Sequence, residues 1–359
     1  MKKRNLMTAG AAWLLALSLA ACSAAAPQNT APETAAETES AAAQTVSETE
    51  SMTPETAAET ESETETAESP ETEESGTQTL PAQDRAGKPI TVPEEVNTII
   101  SLAPATTQIL CDLGLADKIV AVDSNSPMYA AQLSADVLQF NMMEPDLEQI
   151  MAAEADIVFV STMSSQGGDD VFQPVRDAGV CVAEIPTSNS IEDVKKDVQF
   201  VADCVGMSAE GKALVDGMDA VIGEVSAIGE NISDRKTVLF EISPAPYLYS
   251  FGTGVYLNEM IDLIGAKNVL ADQEGWLSVT EESAVAANPD VILTSDNFSN
   301  EDPVAEILGR EGWQNVTAVM EGQVAYIDNA ASSLPNHHIV DALVEMAKAI
   351  YPDEYAGLE

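Results

Sequence analysis

Positive charge is what this sequence has least of: 15 Lys and Arg stand against 60 Asp and Glu, for a formal net charge of −45 at neutral pH. Lys2, Lys3 and Arg4 hold three of those cations at the N-terminus, leaving twelve for everything after them. A nucleic-acid partner is therefore not expected, because neutralising phosphates requires a basic face, and anionic solutes are repelled at long range. Histidine is scarcer still. His337 and His338 are adjacent, whereas a bare Zn or Mn receptor needs several His and carboxylates converging from separate segments. The four cysteines are Cys22, Cys111, Cys181 and Cys204, spaced as in no zinc or redox motif. The last three cannot all pair, so the choice is between small buried apolar side chains, the commoner fate, and one disulfide plus a free thiol. Also missing are a G-x-S-x-G elbow, an H-E-x-x-H helix and any other ordered set of nucleophile and base, so no enzyme is expected. A surface-anchored hydrolase is the weaker alternative.

No apolar run reaches the ~20 residues of a membrane span. Leu6 to Ala21 is apolar but shorter, follows the three N-terminal cations, and ends in small residues. That is the pattern of an export signal over residues 1–21. Leu19-Ala20-Ala21-Cys22 resembles the lipobox of bacterial lipoproteins. The resemblance implies cleavage before Cys22 and lipid on its thiol and new amine, anchoring the chain on the outer face of the cell membrane. One acyl chain binds only marginally, and two or three hold firmly. From Ser23 to about Pro81 the sequence is almost entirely Ala, Thr, Ser, Glu, Pro and Gln, with no aromatic residue and no cation. Such a segment cannot build a core and repels itself, so residues 22–82 read as an extended acidic tether.

Thereafter the composition is globular. Thr98 to Ala103, Ile119 to Val122, Ile157 to Ser161 and Val180 to Ile185 are short β-branched apolar runs separated by helix-like stretches. Continuous apolar strands imply a parallel sheet covered on both faces. Thr237 to Ile242, Asn268 to Leu270, Val291 to Ser295 and Val324 to Ile327 repeat the rhythm. The expectation is α/β: two Rossmann-like lobes, 83–207 and 233–359, joined by one long helix over 208–232. That connection has no proline and carries Leu214, Met218, Val221, Ile222, Val225 and Ile228 at helical spacing. Its four glycines each cost about 1 kcal/mol relative to alanine in a helix interior.

An internal repeat is the most informative feature. Glu148-Gln-Ile-Met-Ala-Ala-Glu-Ala-Asp156-Ile-Val-Phe-Val-Ser161 aligns without a gap on Glu282-Ser-Ala-Val-Ala-Ala-Asn-Pro-Asp290-Val-Ile-Leu-Thr-Ser295. Glu148 and Glu282 are thus equivalent, each at the start of a short helix that leads through an Asp turn into a buried strand. The helix dipole alone favours a carboxylate there, by roughly 0.3–1 kcal/mol. The sharper reading is a two-point docking face, one carboxylate per lobe.

With these pieces in order, the chain resembles the Fe/B12-type periplasmic binding proteins, receptors of ABC importers for ferric siderophores, haem and cobalamin. The resemblance runs from about Pro89 to Pro352. It rests on Ile99-Ile-Ser-Leu-Ala-Pro-Ala-Thr-Thr-Gln-Ile-Leu110, Pro145-Asp-Leu-Glu-Gln-Ile150, Phe251-Gly-Thr-Gly254, Gly265-Ala-Lys-Asn-Val269, Gly275-Trp276 and Asn288-Pro-Asp290. It implies a class III solute-binding fold with ligand in the cleft between the lobes. It also implies a membrane permease docked through Glu148 and Glu282, a monomer, and no resident cofactor: the iron complex or cobalamin is cargo.

For the ligand site, Trp276, six residues before Glu282, matches a cleft tryptophan of cobalamin-binding members, but Met142 stands where the first-lobe partner would. Met142 and Met143 are candidates to contact an apolar ligand, and Met143 to ligate haem iron, against the commoner role of core packing. His337 is the candidate histidine, from a loop that borders the cleft in this family. Tyr247, Tyr249 and Trp276 supply apolar surface with polar tips. The cleft segments 123–143, 247–256 and 332–338 contain no Lys or Arg, which favours neutral or cationic ligands over anionic catecholates.

Overall fold

The computed structural model describes residues 80–165 and 170–358. The export signal, Cys22 and the tether up to residue 79 lie outside the described residues. The first lobe holds five strands, β1 (Ile99–Ser101), β2 (Ile119–Asp123), β3 (Leu138–Phe140), β4 (Ile157–Ser161) and β5 (Cys181–Ile185), in the order β3-β2-β1-β4-β5. All of its pairings are parallel. In the second lobe lie β6 (Thr237–Glu241), β7 (Tyr249–Phe251), β8 (Lys267–Asn268), β9 (Trp276–Ser278), β10 (Val291–Thr294) and β11 (Val324–Tyr326). Four form a parallel sheet, β11-β10-β6-β8, and β7 and β9 pair as a separate antiparallel ribbon.

The continuous apolar runs arise because successive side chains enter different cores. Along β4, Ile157 and Phe159 join a central cluster while Val158 and Val160 join a second one on the other face. Along β10, Val291 and Leu293 join the same central cluster and Ile292 a third. The period of two thus buries both faces of each sheet, and the central cluster runs through both lobes.

The long helix spans Ser208–Gly229 and contributes Met218 and Val225 to that shared core. Two of its glycines are contact points. A Cβ on Gly211 would stand 2.3 Å from Cβ of Ala202 in the first lobe's helix Ile191–Cys204, and one on Gly229 would stand 2.0 Å from the carbonyl of Leu263 in the second lobe. The helix is therefore pressed onto one lobe near each end, while Gly217 and Gly223 face open space. Cys111, Cys181 and Cys204 are free and buried, and burial pushes the Cys111 and Cys181 thiols up to about 11.

The repeat survives atom by atom. Asp156 Oδ2 accepts from the backbone of Asn97 and Thr98 at 2.8 and 2.9 Å and from Thr98 Oγ1 at 3.0 Å. Asp290 Oδ2 accepts from the Thr237 backbone at 2.8 Å and from its Oγ1 at 2.7 Å. Each clasp fastens the start of a central strand, β1 or β6, to its neighbour, β4 or β10. Glu154 and Asn288, which align with each other, are the two non-glycine residues with positive φ among those described, at 48° and 46°. The left-handed residue ends the short helix and turns the chain toward the Asp.

Candidate functional site

Two surfaces emerge from this frame. The first is the pair of repeat helices. Asp146 caps Leu147–Ala152 by accepting from the Gln149 backbone at 3.0 Å, and Thr280 caps Glu281–Ala287 by accepting from Ser283 at 3.2 Å. Glu148 and Glu282 each fall two residues after the cap, both exposed. Neither has an ion-pair partner among the described residues. Their neighbours are tied down: Glu281 accepts from the indole N–H of the buried Trp313 at 3.1 Å. Tyr247, 84% exposed, lines a surface depression with Glu282.

The second surface is a cavity of about 220 Å³ between the lobes. On the first-lobe side its walls come from the carboxyl ends of β1, β4 and β5: Ala103 to Thr106, Ser161, and Ile185 to Ser188. This is the crevice where open parallel sheets hold ligands, at the point where the strand order reverses between β1 and β4. The second lobe contributes Ser333, Leu334 and Pro335. Among the described residues no Lys or Arg lines it, and the one carboxylate that does, Asp197, is buried and bonded to Ser188 Oγ at 2.6 Å and to the Arg85 guanidinium. Burial pushes the Asp197 carboxyl up, against those two hydrogen bonds.

Of the residues expected to meet ligand, Met142 lines the cavity, its sulfur 3.9 Å from Asn125 Nδ2. Met143 is exposed and outside the lining. Tyr249 and Trp276 stack on the β7–β9 ribbon, ring centroids 6.4 Å apart and 5° from parallel, both about one-third exposed (37% and 36%). Phe251 and Tyr256 meet Trp276 edge-on from behind. Tyr256 donates to the Ser332 carbonyl at 2.7 Å, which links this aromatic cluster to the loop that closes the cavity. Sequence reasoning missed Asp197. Its signal was present: a carboxylate on the face of Ile191–Cys204 that otherwise carries Val194, Val198 and Val201.

His337 is not in that lining. With His338 it turns to Asp112, at the far end of the helix Pro104–Asp112 whose first turn walls the cavity. Burial pushes His337 down to about 4. The hydrogen bond to Asp341 holds His338 up at about 9, helped by Asp112 and opposed by burial. Three further bonds cross between the lobes: Asn336 Nδ2 to Gln108 Oε1 at 2.6 Å, Tyr129 to Asn329 at 3.4 Å, and the Ile191 backbone to Glu259 at 2.8 Å.

Residues 99–331 match the periplasmic binding protein family. The chain belongs to this family. It is an extracytoplasmic solute-binding protein, a class of ABC-transporter components that are not enzymes, and its two parallel-sheet lobes have the class III fold. The uncharacterized ABC transporter substrate-binding lipoprotein YvrC of Bacillus subtilis is 29% identical over 274 residues, 76% of this chain and 85% of that protein. Among solved structures, a possible iron-binding periplasmic solute-binding protein of Staphylococcus epidermidis superposes with a TM-score of 0.62 at 25% identity, covering 72% of this chain and 100% of that one. Molybdate-bound MolA of Haemophilus influenzae reaches a TM-score of 0.67 over 78% of this chain and 94% of that one; at 22% identity it attests the fold alone.

Proposed function

We propose that this periplasmic binding protein is a lipid-anchored receptor. Cys22 holds it at the membrane, and it captures a metal complex with an apolar face and delivers it to a permease that docks on Glu148 and Glu282. For docking, the supporting observation is the equivalence of the two carboxylates: same helix position, both exposed, both without an ion-pair partner among the described residues. Charges so placed orient an encounter with a basic partner and speed it.

For the ligand, the reading is a cobalamin, haem or hydroxamate-type ferric complex, and the observation that carries it is the one-third-exposed Tyr249–Trp276 stack, joined through Tyr256 to the loop that closes a cavity without cations. A parallel aromatic pair offers a flat, polarisable surface to a flat ligand. The cavity lies below the ~300–1,000 Å³ of ordinary small-molecule sites, so a complex of this size requires the lobes to stand further apart or rests partly on the ribbon. The test is titration of the full-length chain with cobalamin, haem and a ferric hydroxamate while following tryptophan emission. One of the three should quench it saturably, with Trp276→Ala weakening binding at least tenfold. Equal affinity in that variant, or saturation by none of the three, contradicts the ligand assignment.

A further inference from the structure

The histidine pair lies outside both surfaces and has a chemistry of its own. His338 Nε2 is 2.8 Å from Asp112 Oδ2 and His337 Nε2 is 3.1 Å from the same oxygen. The two rings are 4.2 Å apart, so two imidazole nitrogens and one carboxylate oxygen converge on a single point. Asp112 belongs to the first lobe and the histidines to the second. The cluster borders a cavity of about 230 Å³ walled by Ala213, Leu214, Gly217 and Met218 of the long helix.

We propose that Asp112, His337 and His338 form a site for a divalent transition-metal ion that fastens the two lobes together beside the long helix. The donor set decides the class of ion. Two imidazoles and a carboxylate suit Zn²⁺, Co²⁺ or Ni²⁺ rather than Ca²⁺ or Mg²⁺, which take oxygen donors. Donors about 2.0–2.1 Å from a tetrahedral metal stand roughly 3.3 Å apart. The two histidine–Asp112 separations of 2.8 and 3.1 Å therefore each need only a few tenths of an ångström of spreading, and all three donors lie within 4.8 Å of one another.

The surroundings of His338 match that role. His338 Nδ1 lies 3.0 Å from Asp341 Oδ2, the carboxylate–imidazole pairing that fixes the tautomer leaving Nε2 free for metal. His337 Nδ1 is buried and has no hydrogen-bond partner among the described residues, so this ring lacks the outer acceptor that Asp341 provides for His338. Metal binding displaces the proton shared between His338 and Asp112. The bonds formed cross from one lobe to the other, so occupancy resists separation of the lobes, while none of the three donors lines the ligand cavity.

The experiment uses the full-length untagged chain in detergent and Co²⁺ as probe. Wild type should bind one Co²⁺ with a visible d–d band that Zn²⁺ abolishes, and saturating Zn²⁺ should raise the melting temperature, as any ligand selective for the folded state does. The double variant His337→Gln/His338→Gln should lose at least a hundredfold in affinity together with the melting shift. Asp341→Asn, which leaves all three donors in place, should weaken binding about 10–100-fold. Absence of the band in wild type, or equal Co²⁺ affinity in wild type and Asp341→Asn, overturns the proposal even if the double variant fails to fold.

Discussion

Asp156 and Asp290 act as the same residue twice, each fastening the entry to one strand, at Thr98 or Thr237, to the strand beside it. Backbone N–H groups of Asn97 and Thr98 stabilise the ionised Asp156 and hold its carboxyl below the usual range. A depressed folded value contributes stability above the unfolded value of about 3.9 and loses it as pH falls through the folded one. Asp156→Asn should therefore cost about 1–2 kcal/mol at pH 7. In urea unfolding the gap from wild type should narrow steadily below pH 4, and a gap unchanged between pH 7 and pH 3 would contradict the clasp. At this scale the sequence was informative wherever a residue recurred: the ungapped repeat paired Glu148 with Glu282 and Asp156 with Asp290 before any coordinates. It was blind to Asp112 and His337, 225 positions apart, because no periodicity joins residues that meet only when two lobes pack.

Among elements, the long helix is the one whose composition misled. Its glycines read as a uniform penalty, yet two faces of the helix use them oppositely. Gly223→Ala, where a methyl meets nothing within 4 Å, should stabilise the protein by about 0.5–1 kcal/mol. Gly211→Ala and Gly229→Ala force a methyl into Ala202 or the Leu263 carbonyl and should each destabilise by about 1–3 kcal/mol. Thermal unfolding of the three single variants decides it; a common sign would show that helix propensity, not close approach, governs all three. The central strands were legible because burial on both faces leaves a continuous β-branched run. Tyr249–Phe251 and Trp276–Ser278 were not read as strands, since each has three residues and its partner lies some 27 positions away. Leu138–Phe140, an edge strand with Leu138 and Gln139 exposed, carried no apolar run to read.

At the scale of the whole molecule, one core shared by both lobes carries a cavity at the strand ends and two matched carboxylates. The fold class was legible from the doubled rhythm of strands and helices. The cavity was legible only in part, because its floor is made by the ends of three strands and its cover by Ser333, Leu334 and Pro335 from the other lobe. The most direct measurement of the receptor reading is uptake of the cognate ligand by cells carrying Glu148→Ala/Glu282→Ala, with ligand affinity of the purified variant measured alongside. Uptake should fall at least tenfold while affinity stays within twofold of wild type. Wild-type uptake by the double variant would contradict docking through these two carboxylates.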